Sequence, residues 1–387
     1  MVGMSSLPKA LPQVDQVSSP ALLIYPDRVR DNIRIMLEIA GDADRLRPHV
    51  KTHKLAEMVR MQMKAGIGKF KCATLAEAVM LGKENAGDIL LAIQPVGPEI
   101  TRYAQLAKAF PDAMFSVVVD DAEIIRQLNR SCAEESIRLG TFLDINVGMN
   151  RTGVLPGPEA IARYKLLHEM PFLDVRGLHV YDGHIFGLDV DARTKRVDKA
   201  FAPVRELIFR LEQFGFFPPQ IVAGGSSSFP VHARREGVEL SPGTTLLWDF
   251  KNLDHLTDLP FNCAALLLTR VVSKPAPQYV CFDLGHKAVA SEMPHPRVRL
   301  IGLEDVEYVG HSEEHLVAKT DRWDDIRVGD AYLGIPNHIC PTVALYDHVH
   351  IVENERVTKR WKVAARYRLD TKIETMKPQK AQKTQNE

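Results

Sequence analysis

The stretch RPHVKTHK, at residues 47–54, places one arginine, two histidines and two lysines within eight positions. If Lys51 lies at the mouth of a barrel, partial desolvation and the neighbouring positive charges lower its pKa. An amine with a lowered pKa can attack a carbonyl group and form an imine. A basic surface loop explains the same composition, and the stretch taken alone favours that simpler interpretation.

A second candidate is QIVAGGSSSFP, residues 220–230, where a short apolar run leads into glycines and hydroxyls. Glycines let backbone N–H groups approach an anion, and serine hydroxyls add further donors. The segment SPGTTLLWDF, residues 241–250, offers donors to the same anion from the next strand. The candidate anion ligands are Gly224, Gly225, Ser226, Ser227, Gly243 and Thr244. A flexible turn is an equally good explanation of the glycines and serines alone.

The segment PNHICPTVALYD, residues 336–347, contains a His-x-Cys pair. Alternate residues of a strand point to the same side, so His338 and Cys340 can share one metal ion. Imidazole nitrogen and thiolate suit zinc best, and two protein ligands leave positions open for water or substrate. A histidine beside a half-buried cysteine in an ordinary strand is the favoured explanation for an isolated pair.

Two further strands end in polar side chains. FLDINVGMNRTGV, residues 142–154, carries Arg151, which can pair with a phenolate or a carboxylate or form a surface ion pair. GLHVYDGH, residues 177–184, carries Tyr181, Asp182 and His184. Tyrosine and histidine are common in protein cores, so this second group is ambiguous by itself.

Composition excludes several classes of protein. The chain has 387 residues, of which 45% are hydrophobic, and 49 basic residues balance 49 acidic ones. Neutral charge removes the electrostatic argument for nucleic acid or an anionic membrane as the main partner. No segment is long and apolar enough for a membrane span, and the N-terminus lacks a signal core, which predicts a cytoplasmic protein. Five scattered cysteines make a disulfide framework unfavourable.

The candidate residues lie in a region where short apolar runs alternate with helical patterns, from about residue 21 to 250. ALLIY, KFKCA, DILLAI, FSVVVD and QIVAGG are such runs. Strands separated by helices at this spacing predict parallel strands, and roughly eight such units predict a (β/α)8 TIM-type barrel. An open doubly wound sheet is the alternative. The chemistry of a barrel lies at the carboxyl ends of its strands, where these residues fall.

The pattern changes near residues 250–260, after which β-rich segments follow one another with few helical periods. We therefore predict a C-terminal all-β domain. The predicted organisation is an N-terminal segment at 1–20 that joins the β domain, a barrel at 21–255, the β domain at 256–369, and a disordered polar tail at 370–387.

Taken in order, the segments RPHVKTHK, NVGMNRTGV, GLHVYDGH, AGGSSS, PGTT, FDLGHKAVAS, SEEHL and PNHICPTVALYD resemble the D-threonine aldolase and D-serine dehydratase family. The members are fold-type III pyridoxal-phosphate enzymes related to alanine racemase. The resemblance extends from SSPALLIY to WKVAARY, nearly the whole chain. It implies pyridoxal 5′-phosphate and a divalent metal, zinc or manganese, as cofactors, and a homodimer.

The resemblance also implies a role for each motif residue. Lys51 is the imine-forming lysine, Arg151 meets the cofactor's phenolic oxygen, and Tyr181 lies beside the pyridine ring. Gly224, Gly225, Ser226 and Ser227 match the phosphate cradle, which Gly243 and Thr244 extend, and His338 and Cys340 match the metal pair. Cysteine at position 340 is typical of the dehydratases, whereas some aldolases have aspartate there. His184 is the candidate for the aldolases' catalytic histidine, at a different spacing.

The expected activity is cleavage of a small D-3-hydroxy amino acid to glycine and an aldehyde, as in D-threonine aldolase. A D-serine or D-3-hydroxyaspartate dehydratase, which releases a keto acid and ammonia, is the alternative. An amino-acid racemase would leave the metal pair unused. A non-catalytic carrier of pyridoxal phosphate would resemble the barrel alone, and a β domain of roughly 130 residues, a complete folding unit in size, argues against it.

Overall fold

A computed structural model describes residues 13–217 and 219–368. The first nine strands are β1 (Ala21–Ile24), β2 (Lys69–Cys72), β3 (Asp88–Leu91), β4 (Met114–Val119), β5 (Leu139–Ile145), β6 (Leu173–Val180), β7 (Gln220–Ala223), β8 (Val238–Leu240) and β9 (Ala265–Ala276). The others are β10 (Tyr279–Phe282), β11 (Val298–Leu300), β12 (Glu307–His311), β13 (Leu316–Lys319), β14 (Ala331–Pro336), β15 (His348–Glu353) and β16 (Arg356–Lys362).

The helices alternate with the strands in the first two thirds of the chain. They are α1 (Pro26–Ala40), α2 (Ala56–Lys64), α3 (Leu75–Lys83), α4 (Pro98–Ala109), α5 (Ala122–Glu135), α6 (Pro158–His168), α7 (Val190–Gln213), α8 (Phe229–Ala233), α9 (Phe250–His255) and α10 (Ile339–Val343). None of the helices in the described ranges is long and apolar enough to cross a membrane.

Strands β2 to β8 form one parallel sheet in chain order, and residues 46–50 connect its two edges. This closing segment bridges β8 through Leu46 and Leu240 and bridges β2 through His49 and Lys71, both in parallel. The ring is therefore closed, which excludes the open doubly wound sheet. The predicted barrel with a second, mostly β domain is confirmed.

A buried ion-pair cluster connects the closing segment to the strands around it. Arg47 is completely buried, and its guanidinium donates to the Asp88 carboxylate in β3 at 2.7 and 2.9 Å. Its Nε donates to Glu239 in β8 at 2.7 Å. Burial alone would raise the pKa of Asp88, but Arg47 lowers it below its ordinary value. A charge buried this deeply stays ionised only because its partners are fixed around it.

The second sheet contains β1, which the sequence pattern had assigned to the barrel. Strand β1 pairs antiparallel with β9 and parallel with β15, and all four of its residues are buried. The sheet continues in the order β12-β13-β10-β9-β1-β15-β16, while β14 pairs with β9 and β11. An apolar run followed by a helix suits either sheet, so periodicity could not distinguish them.

The N-terminal segment reaches the same sheet in its described part. Arg270 of β9 donates to the carbonyl oxygens of Val14 and Val17, and the Ser19 hydroxyl donates to Asp283. Residues 1–12 and the predicted tail at 370–387 lie outside the described residues. The domain boundaries proposed from the sequence stay a prediction.

Candidate active site

A cavity of about 640 Å³ lies at the carboxyl ends of the barrel strands. Nine of the predicted site residues line it: Lys51, Tyr181, Gly225, Ser226, Ser227, Gly243, Thr244, His338 and Cys340. They come from the residue that follows the closing segment, from the loops after β6, β7 and β8, and from the β domain. The cavity therefore lies between barrel and β domain, and both contribute polar side chains.

Lys51 follows the closing segment directly and is partly buried. Its backbone N–H donates to His49 Nδ1 at 3.2 Å, and its Nζ lies 5.8 Å from the Tyr181 ring centroid. His49 is buried, and that burial, together with Lys51 and Lys71, holds the pKa of His49 well below its ordinary value. Lys54, the other lysine of the stretch, is instead ion-paired with Glu77.

A second lysine, which the sequence analysis missed, lies beside Lys51. Lys71 of β2 is buried, and its Nζ lies 5.5 Å from the Tyr181 ring centroid. Burial has the largest effect on the pKa of Lys71 and the charge of Lys51 the second largest, and the pKa is lowered to about 7. The segment KFKCA could have indicated Lys71 as a site residue, because a lysine in the middle of a short buried strand is unusual.

Lys71 belongs to a chain of three buried polar groups. Its Nζ lies 3.4 Å from His179 Nε2, and His179 Nδ1 lies 2.7 Å from the Asp144 carboxylate. The Asp144 carboxylate accepts a hydrogen bond from the Nδ1–H group of His179, so His179 Nε2 is the acceptor that faces Lys71. Burial lowers the pKa of His179, while His179 in turn keeps the pKa of Asp144 below its ordinary value.

Arg151 and Tyr181 meet above the loops that follow β5 and β6. The guanidinium carbon lies 4.8 Å from the Tyr181 ring centroid, although Arg151 itself is exposed. Its charge contributes to the lowered pKa of Lys71. The predicted neighbourhood of a lysine, an arginine and a tyrosine is therefore present at one end of the cavity.

The two glycine-containing loops face each other at the same end. The Ser226 hydroxyl accepts hydrogen bonds from the backbone N–H groups of Gly243 at 3.1 Å and Thr244 at 2.9 Å. A Cβ at Gly225 would lie 3.1 Å from Tyr181 Cε2, and a Cβ at Gly243 would lie 3.3 Å from His49 Cβ. Both positions thus need glycine for the loops to approach this closely.

Other members of the predicted anion group support the loop instead. Gly224 adopts a φ of +84°, which favours glycine. The Ser227 hydroxyl donates to the Ile185 carbonyl at 2.7 Å, so it does not donate to an anion in the cavity. Ser228 accepts the Gly225 N–H and donates to Asp182, which also binds His232. Asp182 is therefore a buried anchor for the loop.

The His-x-Cys pair lines the same cavity, where Cys340 Sγ lies 3.7 Å from Thr244 Oγ1, but in a different local structure from the one predicted. Strand β14 ends at Pro336, His338 precedes α10, and Cys340 lies in the first turn of that helix. Pro341 signals this change, since proline fits the first turn of a helix but removes a hydrogen bond from a strand. The strand argument was wrong, but the helix turn also brings the two side chains together.

The pair is electrostatically coupled. Burial disfavours a charged His338 imidazole, but its hydrogen bond to Cys340 raises the pKa of His338 to about 9. The same contact lowers the pKa of the Cys340 thiol against the effect of burial. Thr52 Oγ1 lies 3.1 Å from Cys340 Sγ, and Glu292 lies 2.5 Å from His338 Nδ1. Within residues 13–217 and 219–368, no three His, Cys, Asp or Glu side chains are grouped to hold a metal.

His184 lies elsewhere. It is exposed and lines a neighbouring cavity of about 550 Å³ with Gly148 and Arg196. A turn in which Ile185 N–H donates to the Asp182 carbonyl at 2.9 Å puts His184 at its outer corner. The structure therefore does not support His184 as a base in the cavity that Lys51 lines.

Comparison with known proteins identifies similar chains. The model of the alanine racemase N-terminal domain matches residues 24–248, and that of the putative serine dehydratase domain matches residues 264–352. A 3-hydroxy-D-aspartate aldolase of Paracoccus denitrificans (strain Pd 1222) is 29% identical, over 92% of this chain and 95% of that protein. A D-threonine aldolase of Arthrobacter sp. is 26% identical, over 91% and 93%.

Similarity in three dimensions extends over the same length. The crystal structure of D-threonine aldolase from Filomicrobium marinum matches with a TM-score of 0.85 and 27% identity. The match covers 92% of this chain and 97% of that one.

Proposed function

The chain belongs to the family of the alanine racemase N-terminal domain, and from this we propose that it is a pyridoxal-phosphate-dependent lyase that cleaves D-3-hydroxy amino acids as an aldolase. One observation carries the proposal: a single cavity is lined by a lysine, two facing glycine loops and a His-x-Cys pair. The aldolase names of two relatives that match over nearly the full length support it.

The residues present fit pyridoxal phosphate. The Ser226 hydroxyl accepts the Gly243 and Thr244 N–H groups, so its own proton can be donated to a phosphate oxygen, and a Cβ at Gly225 would press on Tyr181. Lys51 would hold the cofactor covalently, with Tyr181 beside its ring and Arg151 at its phenolic oxygen. When bound, pyridoxal phosphate supplies an electron sink for the negative charge that bond cleavage leaves on the substrate's α-carbon.

His338 and Cys340 would hold a divalent metal, zinc or manganese. The imidazole and the thiolate are zinc ligands by type, and the open positions suit a substrate oxygen. Such a metal supplies Lewis acidity to the hydroxyl on C3 of the substrate. The contact with His338 lowers the pKa of the Cys340 thiol, which favours the thiolate that a metal binds. The same contact raises the pKa of His338, so His338 must release its proton when the metal binds.

The distinction between aldolase and dehydratase depends on which proton the chain removes. In a dehydratase, Lys51 would take the α-proton from the substrate while the C3 hydroxyl group departs. In an aldolase, the proton of the C3 hydroxyl would pass to a base or to solvent water while the Cα–Cβ bond breaks and the aldehyde leaves. Lys51 would then act only in holding the cofactor before the substrate amine replaces it. The alternative, a D-serine or D-3-hydroxyaspartate dehydratase, is supported by Cys340 and by the dehydratase-domain match at 264–352.

Product analysis tests the assignment. The purified protein with pyridoxal phosphate and zinc or manganese is incubated with D-threonine, D-serine and D-3-hydroxyaspartate. We expect glycine and an aldehyde. Ammonia and a keto acid without glycine would overturn the aldolase and support the dehydratase. Inversion at the α-carbon without cleavage would support a racemase, and binding without any product would support a carrier.

Metal removal tests the role of the His-x-Cys pair. Chelation should abolish lyase activity and leave the yellow colour of the bound cofactor, because Lys51 and not the His-x-Cys pair would hold the cofactor. Cys340→Ala should behave like the chelated enzyme, whereas Cys132→Ala, a buried cysteine of α5, should keep its metal and activity. Full turnover after exhaustive chelation, with no metal found by mass spectrometry, would contradict a metal-assisted reaction.

We also propose a homodimer, as the family resemblance implies. The loops at the carboxyl ends of β3, β5 and β6 expose Ile93, Val96, Leu155 and Leu188, each by more than half of its surface. Apolar side chains grouped around a cavity mouth are typical of an interaction surface. Light scattering on the purified protein measures the mass, and a monomer at micromolar concentration would contradict the proposal.

A further inference from the structure

Lys251 lines the cavity that also contains His338 and Cys340, lies in the first turn of α9, and is partly buried. Its Nζ lies 5.3 Å from the centroid of the Phe186 ring, which lines the same cavity. An aromatic face stabilises an ammonium group weakly and leaves its hydrogen-bond donors open. Lys251 therefore presents a positive charge to the space beside His338 and Cys340.

The two carboxylates that line the cavity, Asp249 and Glu292, are engaged elsewhere. Asp249 accepts the backbone N–H of Asn252 at 3.0 Å and that of Ile339 at 3.1 Å, and Asn252 Nδ2 adds a third bond at 2.7 Å. Glu292 pairs with His338. In the described part of the chain, no carboxylate forms an ion pair with Lys251 within 4.0 Å, and only the longer-range charge of Asp249 acts on it, so the hydrogen-bond donors of its ammonium group are open to a ligand.

The other cations near the cavity are grouped around Tyr181. Lys51, Lys71 and Arg151 all lie within 6 Å of the Tyr181 ring, where the cofactor would be held. Lys251 instead lies two residues from Asp249, whose carboxylate accepts the backbone N–H of Ile339, between His338 and Cys340. A charged group placed there without a direct ion pair is suited to an anionic part of the substrate.

We propose that Lys251 binds a carboxylate on C3 of the substrate, which makes 3-hydroxy dicarboxylic D-amino acids the preferred substrates. This inference depends on the proposed function, because a C3 hydroxyl held at His338 and Cys340 brings the other C3 substituent next to Lys251. For D-threonine that substituent is a methyl group, which gains nothing from an ammonium. For D-3-hydroxyaspartate it is a carboxylate, which forms a charge-assisted hydrogen bond.

Substitution of Lys251 tests the inference through the ratio of two substrates. In Lys251→Met, which keeps the length of the side chain without its charge, kcat/KM for D-3-hydroxyaspartate should fall about ten- to hundredfold. The loss should appear mainly in KM, and kcat/KM for D-threonine should change less than about twofold. Lys251→Arg should restore most of the dicarboxylate activity. Lys195→Met, an exposed lysine of α7, is the control and should match the parent.

A binding measurement separates this inference from the proposed function. D-aspartate and D-alanine lack the C3 hydroxyl, and their affinities follow from the change in cofactor absorbance without cleavage. Lys251→Met should weaken D-aspartate about tenfold and leave D-alanine unchanged. Equal losses of affinity for both ligands, or of kcat/KM for both substrates, would contradict the inference, because Lys251 would then bind the α-carboxylate or only support the fold. No loss of affinity or of kcat/KM in Lys251→Met would exclude Lys251 from the site. A parent protein that binds D-aspartate through Lys251 but cleaves no hydroxy amino acid would contradict only the proposed function.

Discussion

Lys51 and Lys71 both lie close to Tyr181, with Nζ atoms 5.8 and 5.5 Å from the ring centroid. An imine requires a neutral amine that can reach the cofactor. Burial lowers the pKa of Lys71 to about 7, which favours a neutral amine, but Lys71 is buried and held at His179. Lys51 is partly exposed to the cavity and adjoins the loops that would hold the phosphate. Reach therefore favours Lys51.

Reductive trapping decides between the two lysines. Borohydride reduction of the holoenzyme, followed by peptide mass spectrometry, should find the pyridoxyl group on Lys51. Lys51→Ala should lose the colour of the bound cofactor and keep its far-ultraviolet circular dichroism. A label on Lys71 would transfer the covalent role to β2. A label on Lys54 is not expected, because that lysine is paired with Glu77.

The buried Lys71 should also make stability depend on pH. An unfolded lysine titrates near pH 10.4, whereas folded Lys71 titrates at about 7, so between these values the unfolded chain holds a proton that the folded chain lacks. The free energy of unfolding therefore rises with pH across this window, by up to about 1.4 kcal/mol per pH unit. Below pH 7 Lys71 is protonated in both states, and the folded protein bears the full cost of burying its charge.

Comparison with a variant that lacks Lys71 isolates this effect. Urea unfolding of the cofactor-free protein at pH 7, 8 and 9 gives the free energy of unfolding at each pH. That free energy should rise less steeply with pH for Lys71→Met than for the parent. Lys83→Met, which removes an exposed lysine at the end of α3, should keep the parental slope. Identical slopes for the parent and Lys71→Met would mean that Lys71 titrates as an ordinary lysine.

Among the elements, the loops after β7 and β8 impose a steric requirement on the site. A Cβ at Gly225 already lies 3.1 Å from the Tyr181 ring, and valine adds two methyl groups to it. Gly225→Val should therefore weaken pyridoxal phosphate binding about tenfold or more. Absorbance titration of the cofactor-free protein measures this, with Gly68→Ala as the control, since a Cβ at Gly68 meets no atom within 4 Å.

A second titration, with pyridoxal that lacks the phosphate, tests whether the loops bind the anion. The parent should bind pyridoxal much more weakly than its phosphate, and Gly225→Val should bind both forms weakly. Equal affinity of the parent for both forms would remove the AGGSSS segment from the phosphate site.

The elements also show how far the sequence determines the site. The strand ends that carry Lys51, Tyr181 and Gly225 were predicted correctly, because parallel strands bring their carboxyl ends to one side. Lys71 was missed because its side chain points into the barrel from within a strand, where polarity is not expected. His184 was misplaced because one loop turn decides which way it faces, and such turns leave little trace in hydrophobic periodicity.

At the scale of the whole molecule, Arg47 joins three parts of the barrel that are distant in sequence. It connects the closing segment with Asp88 in β3 and Glu239 in β8. Arg47→Met should destabilise the protein by about 3–5 kcal/mol, because two buried carboxylates lose their partner. Arg60→Met, which breaks an ion pair whose arginine is 58% exposed, should cost less than about 1 kcal/mol.

Urea unfolding at neutral pH measures both variants. A loss for Arg47→Met no larger than that for Arg60→Met would show that the cluster contributes little to closing the ring. At low pH the two carboxylates of the parent become neutral, and the difference between the parent and Arg47→Met should narrow.

The position of β1 between β9 and β15 makes the β domain discontinuous along the chain. The barrel is thus an insertion between the first strand of that sheet and the rest of it. During synthesis β1 leaves the ribosome before the barrel, yet both of its neighbours emerge only after the barrel is complete. A fragment that ends after β8 would expose the apolar side chains of Ala21–Ile24, all buried in the intact protein. A separately expressed barrel must therefore be cut at both ends, after β1 as well as before β9.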